Sequence, residues 1–204
     1  MKIKAINNYC MIEMLPFGAT RIGNIELPEN NSKVPRWGKI LSVGPGVPDV
    51  NGEILKPDIE ADQMVYVAAH GQYEVFKTST LENDNLVVAS VNDILAVLED
   101  RESMTIKPLG NYVEIEKIEL PEKNEFGIEL TDNRKPPTNL GIVKALGFGW
   151  RSPEGSRIPF DVKVGDKIIF QPFRTVIVDC NALGKDEKKH LIMHSDIIGI
   201  VEEE

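Results

Sequence analysis

Leu140-Gly141-Ile142-Val143-Lys144-Ala145-Leu146-Gly147-Phe148-Gly149 decides the fold, because a near copy stands 103 residues before it: Trp37-Gly38-Lys39-Ile40-Leu41-Ser42-Val43-Gly44-Pro45-Gly46. Each reads as a short aliphatic strand that ends in a Gly-x-Gly bend. Other pairs keep the same spacing. Ile3-Lys4 returns as Ile106-Lys107, Asn8-Tyr9 as Asn111-Tyr112, and Ile12-Glu13 as Ile115-Glu116. Ile25-Glu26-Leu27 returns as Ile128-Glu129-Leu130, Asp58 as Asp161, and Asp93-Ile94 as Asp196-Ile197. Colinear matches at one offset mark an internal duplication. The halves are 1–100 and 101–204, joined by the charged junction Glu99-Asp100-Arg101-Glu102-Ser103, which is too short to let them wander apart. Before the last strand the register is expected to slip, with Leu86-Val87-Val88 equivalent to Leu191-Ile192-Met193, and to recover by Asp93.

Working outward, each half reads as short strands separated by turns. The first half offers strands at 9–14, 38–43, 64–68, 74–77, 86–88 and 95–98. The second offers 112–117, 141–145, 167–170, 175–179, 190–193 and 198–201. No segment has a long helical apolar stripe. Ser90–Asp93 and His194–Asp196 are each expected to form a single turn before the last strand. Strands of this length and spacing predict an all-β chain in which each half is a compact barrel or sandwich. Asn51-Gly52 and Pro153-Glu154-Gly155-Ser156 are turn signals, so each barrel is expected to project a β-hairpin.

Two long polar segments, Leu15–Arg36 and Ile118–Asn139, break the strand pattern. Loops of this length in a compact domain are usually functional or disordered, and these are expected to be mobile in the free protein. Each carries one apolar island at the same place, Ile25-Glu26-Leu27 and Ile128-Glu129-Leu130. In a β-rich chain an Ile-x-Leu is usually an inward-facing strand pair. Its recurrence inside two polar loops at one register weighs against that reading, since apolar islands exposed in mobile loops commonly mark docking sites.

Composition narrows the function classes. The 204 residues carry 32 acidic and 23 basic side chains, a net charge of -9, which disfavours a general electrostatic grip on nucleic acid or an anionic membrane. Two cysteines, Cys10 and Cys180, cannot form a disulfide scaffold or a four-thiolate metal site. His190 and His194 are four apart in a strand-like run, so a helical metal pair is not expected. No nucleophile–base arrangement repeats in both halves, and no cofactor is expected. The opening Met1-Lys2-Ile3-Lys4 has neither an apolar signal core nor a transit-like stretch. A cytoplasmic location is therefore expected.

Taken in order, these motifs resemble the GroES-type co-chaperonins, twice over nearly the whole chain. The resemblance rests on the two Gly-x-Gly strands quoted above and on Val162-Lys163-Val164-Gly165-Asp166. It rests also on the final strands Asp93-Ile94-Leu95-Ala96-Val97-Leu98 and Asp196-Ile197-Ile198-Gly199-Ile200-Val201. The first half departs at Ala61-Asp62-Gln63, where the family has Gly-Asp, so an altered turn is expected there. The resemblance implies two GroES-like β-barrels, each with a roof hairpin and a mobile loop. It implies that Ile25, Glu26, Leu27, Ile128, Glu129 and Leu130 contact a GroEL-type chaperonin. It further implies a ring-shaped homo-oligomer, a heptamer favoured, that caps the chaperonin around non-native client proteins while ATP acts on the partner. Seven partner sites cannot be matched by whole two-domain chains if every domain takes one. Tandem forms occur in plastids and divergent ones in phages, which makes the host cytoplasm or, less so, the plastid stroma the setting.

Two rivals keep part of this picture. A structural or virion-associated β-barrel assembly protein would share the fold without needing apolar islands in mobile loops. A reductase or dehydrogenase with a GroES-like barrel would need a nucleotide-binding βαβ segment, and the sequence offers none.

Overall fold

The computed structural model describes residues 4–15, 21–22, 25–26, 36–68, 72–74, 86–118 and 139–202. The first domain contains β1 (Tyr9–Met14), β2 (Arg21–Ile22), β3 (Ile25–Glu26), β4 (Trp37–Val43), β5 (Val47–Pro48), β6 (Ile54–Leu55), β7 (Met64–Val67), β8 (Gln72–Glu74), β9 (Leu86–Ser90) and β10 (Ile94–Asp100). The chain continues through β11 (Thr105–Pro108), β12 (Tyr112–Lys117), β13 (Leu140–Leu146), β14 (Trp150–Arg151), β15 (Arg157–Ile158), β16 (Lys167–Phe170), β17 (Val176–Asp179), β18 (Lys188–Met193) and β19 (Ile197–Ile200). Single 3-10 turns at Val91–Asp93 and His194–Asp196 precede the two last strands, as the sequence predicts. Among the described residues no helix is long and apolar enough to cross a membrane.

The two main sheets are antiparallel and repeat one strand order. The second runs β17-β18-β12-β13-β16-β19; the first runs β8-β9-β1-β4-β7-β10 and then adds β11. The expected slip of register is absent. Tyr9 pairs with Ser90 and Tyr112 with Met193, so the 103-residue offset holds through this strand. Matching apolar runs misled the sequence reading because β18 carries its apolar residues two positions later than β9. The ladder with β1 and β12 fixes the alignment instead.

Each sheet surrounds its own apolar core. Cys10, Ile12 and Met14 of β1 meet Ile40, Val65, Val67 and Ile94; Val113 and Ile115 of β12 meet Val143, Ile168 and Phe170. The core residues stand two apart along these strands, and Met11 and Glu114 between them are buried on the other face. Cys10 is filler in this sense: its thiol donates to the Ala89 carbonyl, and burial pushes its pKa up to about 12. Cys180 is likewise buried, its pKa raised by desolvation to about 11.

A third apolar cluster joins the halves. Trp37, Tyr66, Leu95 and Ala96 of the first domain pack with Met104, Ile106, Val178, Cys180, Leu183 and Leu191. The expected boundary after residue 100 lies between β10 and β11, and β11 crosses it by pairing along β10: Ala96 faces Pro108, Val97 faces Lys107 and Leu98 faces Ile106. The sequence reading passed over this strand, because Pro108 and the turn residues around it dilute its short alternation. Polar bonds fasten the same seam. The Trp37 indole N–H donates to the Asp179 carbonyl at 2.7 Å, and the Tyr66 hydroxyl to that of Ile177 at 2.9 Å. Arg151 and Arg157 both hold the Asp58 carboxylate, Arg151 at 3.1 Å.

The expected hairpins are present: β5 pairs with β6 and β14 with β15. Each closes because a glycine leads into it. A Cβ at Gly46 or Gly149, both at positive φ, would lie about 2 Å from the carbonyl oxygen of Leu55 or Ile158.

The altered turn expected at Ala61-Asp62-Gln63 is not seen. Asp62 N–H donates to the Ile40 carbonyl just as Gly165 N–H donates to that of Val143. Asp62 adopts φ 70° where Gly165 has φ 97°. Aspartate is among the few side chains that tolerate this left-handed region. Asp62→Gly is expected to preserve or raise the melting temperature, whereas Asp62→Ala lowers stability by about 1 kcal/mol. Thermal denaturation checks both, and equal melting of the two variants would contradict the turn's conformational demand.

Candidate functional site

Both long loops leave the ladder at equivalent points. Loop one departs after β1 and returns into β4; loop two departs after β12 and returns into β13. The N–H of Leu15 donates to the Trp37 carbonyl at 2.8 Å, and the N–H of Ile118 to the Leu140 carbonyl at 3.0 Å. Met14 pairs with Gly38 and Lys117 with Gly141, so the ladder runs to the base of each loop. The two ends of each loop are thereby held one strand spacing apart, about 5 Å. The roof hairpins follow the opposite ends of β4 and β13. Seven residues of strand put roughly 20 Å between loop base and roof.

Within the first loop the backbones of Arg21–Ile22 and Ile25–Glu26 pair antiparallel, Ile22 facing Ile25 and Arg21 facing Glu26. Ile25 and Glu26 therefore lie in extended backbone. Leu27 and the whole second island, Ile128, Glu129 and Leu130, lie outside the described residues.

The charges around the bases are locally compensated. Lys144 donates to Glu116 at 2.7 Å, and that bond holds the Glu116 carboxyl below its ordinary range. Lys39 pairs with Asp62 at 2.7 Å, and the hydrogen bond raises the Lys39 ammonium pKa. Burial lowers the ammonium pKa of Lys117 at the second base and the imidazole pKa of His190, which sits in β18 opposite Ile115. Among the described residues no group of three His, Cys, Asp or Glu side chains could hold a metal ion. The arrangement is suited to presenting a segment from a pinned base.

The duplication finds its counterpart among known proteins. The family model described as Chaperonin 10 Kd subunit matches residues 2–98 and again residues 105–201. The chain belongs to the chaperonin 10 family. Its second match opens at Thr105, the first residue of the strand that completes the first sheet. The chain is similar to the co-chaperonin GroES of Staphylococcus aureus strains JH9, Newman and MW2. Each is 35% identical over 98 residues, spanning 48% of this chain and 99% of the relative. The chain is thus a tandem of two chaperonin 10 domains with an all-β fold, and a non-catalytic member of the family.

The seam residues were not singled out from the sequence. Arg151 and Arg157 stand where the first half has Pro48 and Ile54, and Trp37 and Tyr66 stand where the second has Leu140 and Ile169. A search for what the halves share passes over what they do not, so the signal lay in the mismatches.

The loop bases generate a graded expectation. A Cβ at Gly38 would fall 2.4 Å from Cγ2 of Ile12 and 2.9 Å from the Glu13 carbonyl oxygen. At Gly141 its nearest neighbour, the Glu116 carbonyl oxygen, is 3.1 Å away. Gly38→Ala is expected to cost about 1–3 kcal/mol and Gly141→Ala less. Urea denaturation measures both; a larger cost at Gly141 would contradict the packing at the bases.

Proposed function

We propose that the chain is a tandem co-chaperonin, a lid that caps a GroEL-type chaperonin and encloses non-native client proteins while ATP is hydrolysed by the partner. One observation carries the reading: two chaperonin 10 domains each hold an equivalent loop at an equivalent base, and each loop carries Ile-Glu-Leu at one register. In extended backbone, residues two apart share a face. Ile25 with Leu27, and Ile128 with Leu130, then form a small apolar anchor, with Glu26 and Glu129 turned away. A loop that orders on docking binds weakly by itself. Several loops on one lid restore affinity through effective concentration, and weak single contacts let the lid leave when the chaperonin changes state. The lid is a ring of copies working in the cytoplasm, without a cofactor of its own.

The pairing of β10 with β11 bears on the ring. It sets the two domains of one chain edge to edge, so both take places in the lid. In this reading the favoured heptamer is a ring of seven whole chains, with two domains for each site of a sevenfold partner.

Co-sedimentation with a chaperonin, with and without ATP, tests the function. Wild type is expected in the pellet with nucleotide. Ile25→Ser with Leu27→Ser removes one anchor and Ile128→Ser with Leu130→Ser the other, each side chain being worth roughly 1.5–3 kcal/mol when buried. Each double variant is expected to fold normally and to bind at least tenfold less tightly. Undiminished capping by both would remove the anchors from the mechanism and favour a structural barrel.

A further inference from the structure

The two loop bases share one backbone scheme and differ in what their side chains grip. At loop one, Leu15 N–H donates to the Trp37 carbonyl and Val67 N–H to the Arg36 carbonyl, both at 2.8 Å. At loop two, Ile118 N–H donates to the Leu140 carbonyl at 3.0 Å and Phe170 N–H to the Asn139 carbonyl at 2.9 Å. The side chains of the first base reach out of their own barrel. Trp37, 1% exposed, donates its indole N–H to the Asp179 carbonyl of β17 at 2.7 Å. Tyr66 pairs with Trp37 along the ladder and meets its ring edge-on, with 5.2 Å between centroids. The Tyr66 hydroxyl donates to the Ile177 carbonyl, also of β17. Leu15 packs against the same apolar cluster, and the Arg36 guanidinium lies 5.9 Å over the Tyr66 ring. Both ends of loop one therefore rest on a Trp–Tyr pair that is bonded to the second domain.

The second base has no such hold. Leu140 and Ile169 stand at the positions of Trp37 and Tyr66 and pair across β13 and β16 in the same way. Neither side chain has a hydrogen-bond donor, so no neighbour, inside the chain or outside it, can fasten loop two by these bonds. Asn139 replaces Arg36 and has no charge to set over a ring.

We propose that Trp37, together with Tyr66, is a positioning residue that fastens the base of loop one to the second domain, so that the two loops of one chain dock unequally. Loop one is aimed by both domains and loop two by its own barrel alone. The proposal deepens the lid reading and rests on it, because it assigns the tighter contact with the chaperonin to loop one. The physical reason is preorganisation. A base held at several points has fewer orientations to lose when its loop docks, so less of the contact energy goes into ordering. The bonds to β17 are hard to break, because Trp37 and Tyr66 are buried and a buried donor left without its acceptor is costly. The coupling is reciprocal: docking of loop one strengthens the seam between the domains, and docking of loop two leaves it unchanged.

Amide exchange in the free chain and affinity for a chaperonin together test this. Tyr66→Phe removes one hydroxyl and Trp37→Phe the indole N–H, and both keep an aromatic ring at the seam. By nuclear magnetic resonance, each is expected to speed exchange of the Leu15 amide about threefold or more and to leave the Ile118 amide as in wild type. No acceleration at Leu15, or equal acceleration at both amides, would overturn the fastening. Should Trp37→Phe fail to fold, Tyr66→Phe decides alone, since it loses a single oxygen atom. Affinity is read by co-sedimentation with a GroEL-type chaperonin and ATP in two backgrounds. With the loop-two anchor removed by Ile128→Ser and Leu130→Ser, Tyr66→Phe is expected to weaken binding about fivefold. With the loop-one anchor removed by Ile25→Ser and Leu27→Ser, it is expected to change nothing. Equal losses in both backgrounds would reduce Tyr66 to a general structural role and overturn its part in aiming loop one. Between the two backgrounds themselves, the chain that keeps loop one is expected to bind more tightly, and the reverse order would overturn the unequal docking. A chain that shows the exchange pattern yet ignores the chaperonin supports the fastening and defeats the lid reading.

Discussion

The pairing of β11 along β10 is the constraint on which the rest of the molecule depends. The first strand of the second repeat completes the sheet of the first, so the two domains are fused at a sheet edge and not merely tethered. An edge strand with open N–H and C=O groups is a liability in water, and covering it also buries Leu95, Ala96 and Ile106 in a core shared by both domains. Everything that crosses the seam, from the Trp37 indole to the Asp58 carboxylate, is positioned by that one pairing. The junction at Asp100–Ser103 is short because it needs only to turn the chain from β10 into β11. There the Asp100 carboxylate accepts from the backbone N–H groups of Glu102 and Ser103.

That constraint carries over to the loops. Each loop base is fixed by the same rung of the same ladder, at the end of β4 or β13 away from the roof hairpin. Holding the two domains edge to edge therefore fixes the spacing of the two bases. In the proposed lid, rigid spacing and weak individual anchors would together give avidity. The roof has the opposite character. Asp58 with its two arginines makes it a locked joint inside the chain, and Phe148 of the second domain packs against the core of the first.

Much of this was legible in the sequence, for identifiable reasons. The strands at Tyr9–Met14, Tyr112–Lys117 and Lys167–Phe170 appear with their expected ends, because alternating aliphatic residues between turn signals encode a half-buried strand locally. The hairpins were readable because Gly52 and Gly155 mark positions where the backbone takes positive φ. The strand at Thr105–Pro108 was not readable, since its reason to exist is a partner edge in the other domain. Asp62 misled because a missing glycine suggested a changed turn, whereas aspartate can occupy the same conformation. The apparent slip at Leu86–Val88 arose from comparing apolar letters and not ladder partners. Of the islands, the recurrence of Ile-Glu-Leu was plain, and only Ile25 and Glu26 fall within the described residues.

Electron microscopy of the lid bound to a chaperonin with nucleotide measures the central claim most directly. The two domains of every chain are expected side by side in one layer, an even number of domains in the ring, with density descending from both loop bases to the chaperonin. Seven domains in the ring with seven more stacked outside it would contradict the seam between β10 and β11 as the device that places both domains in the lid.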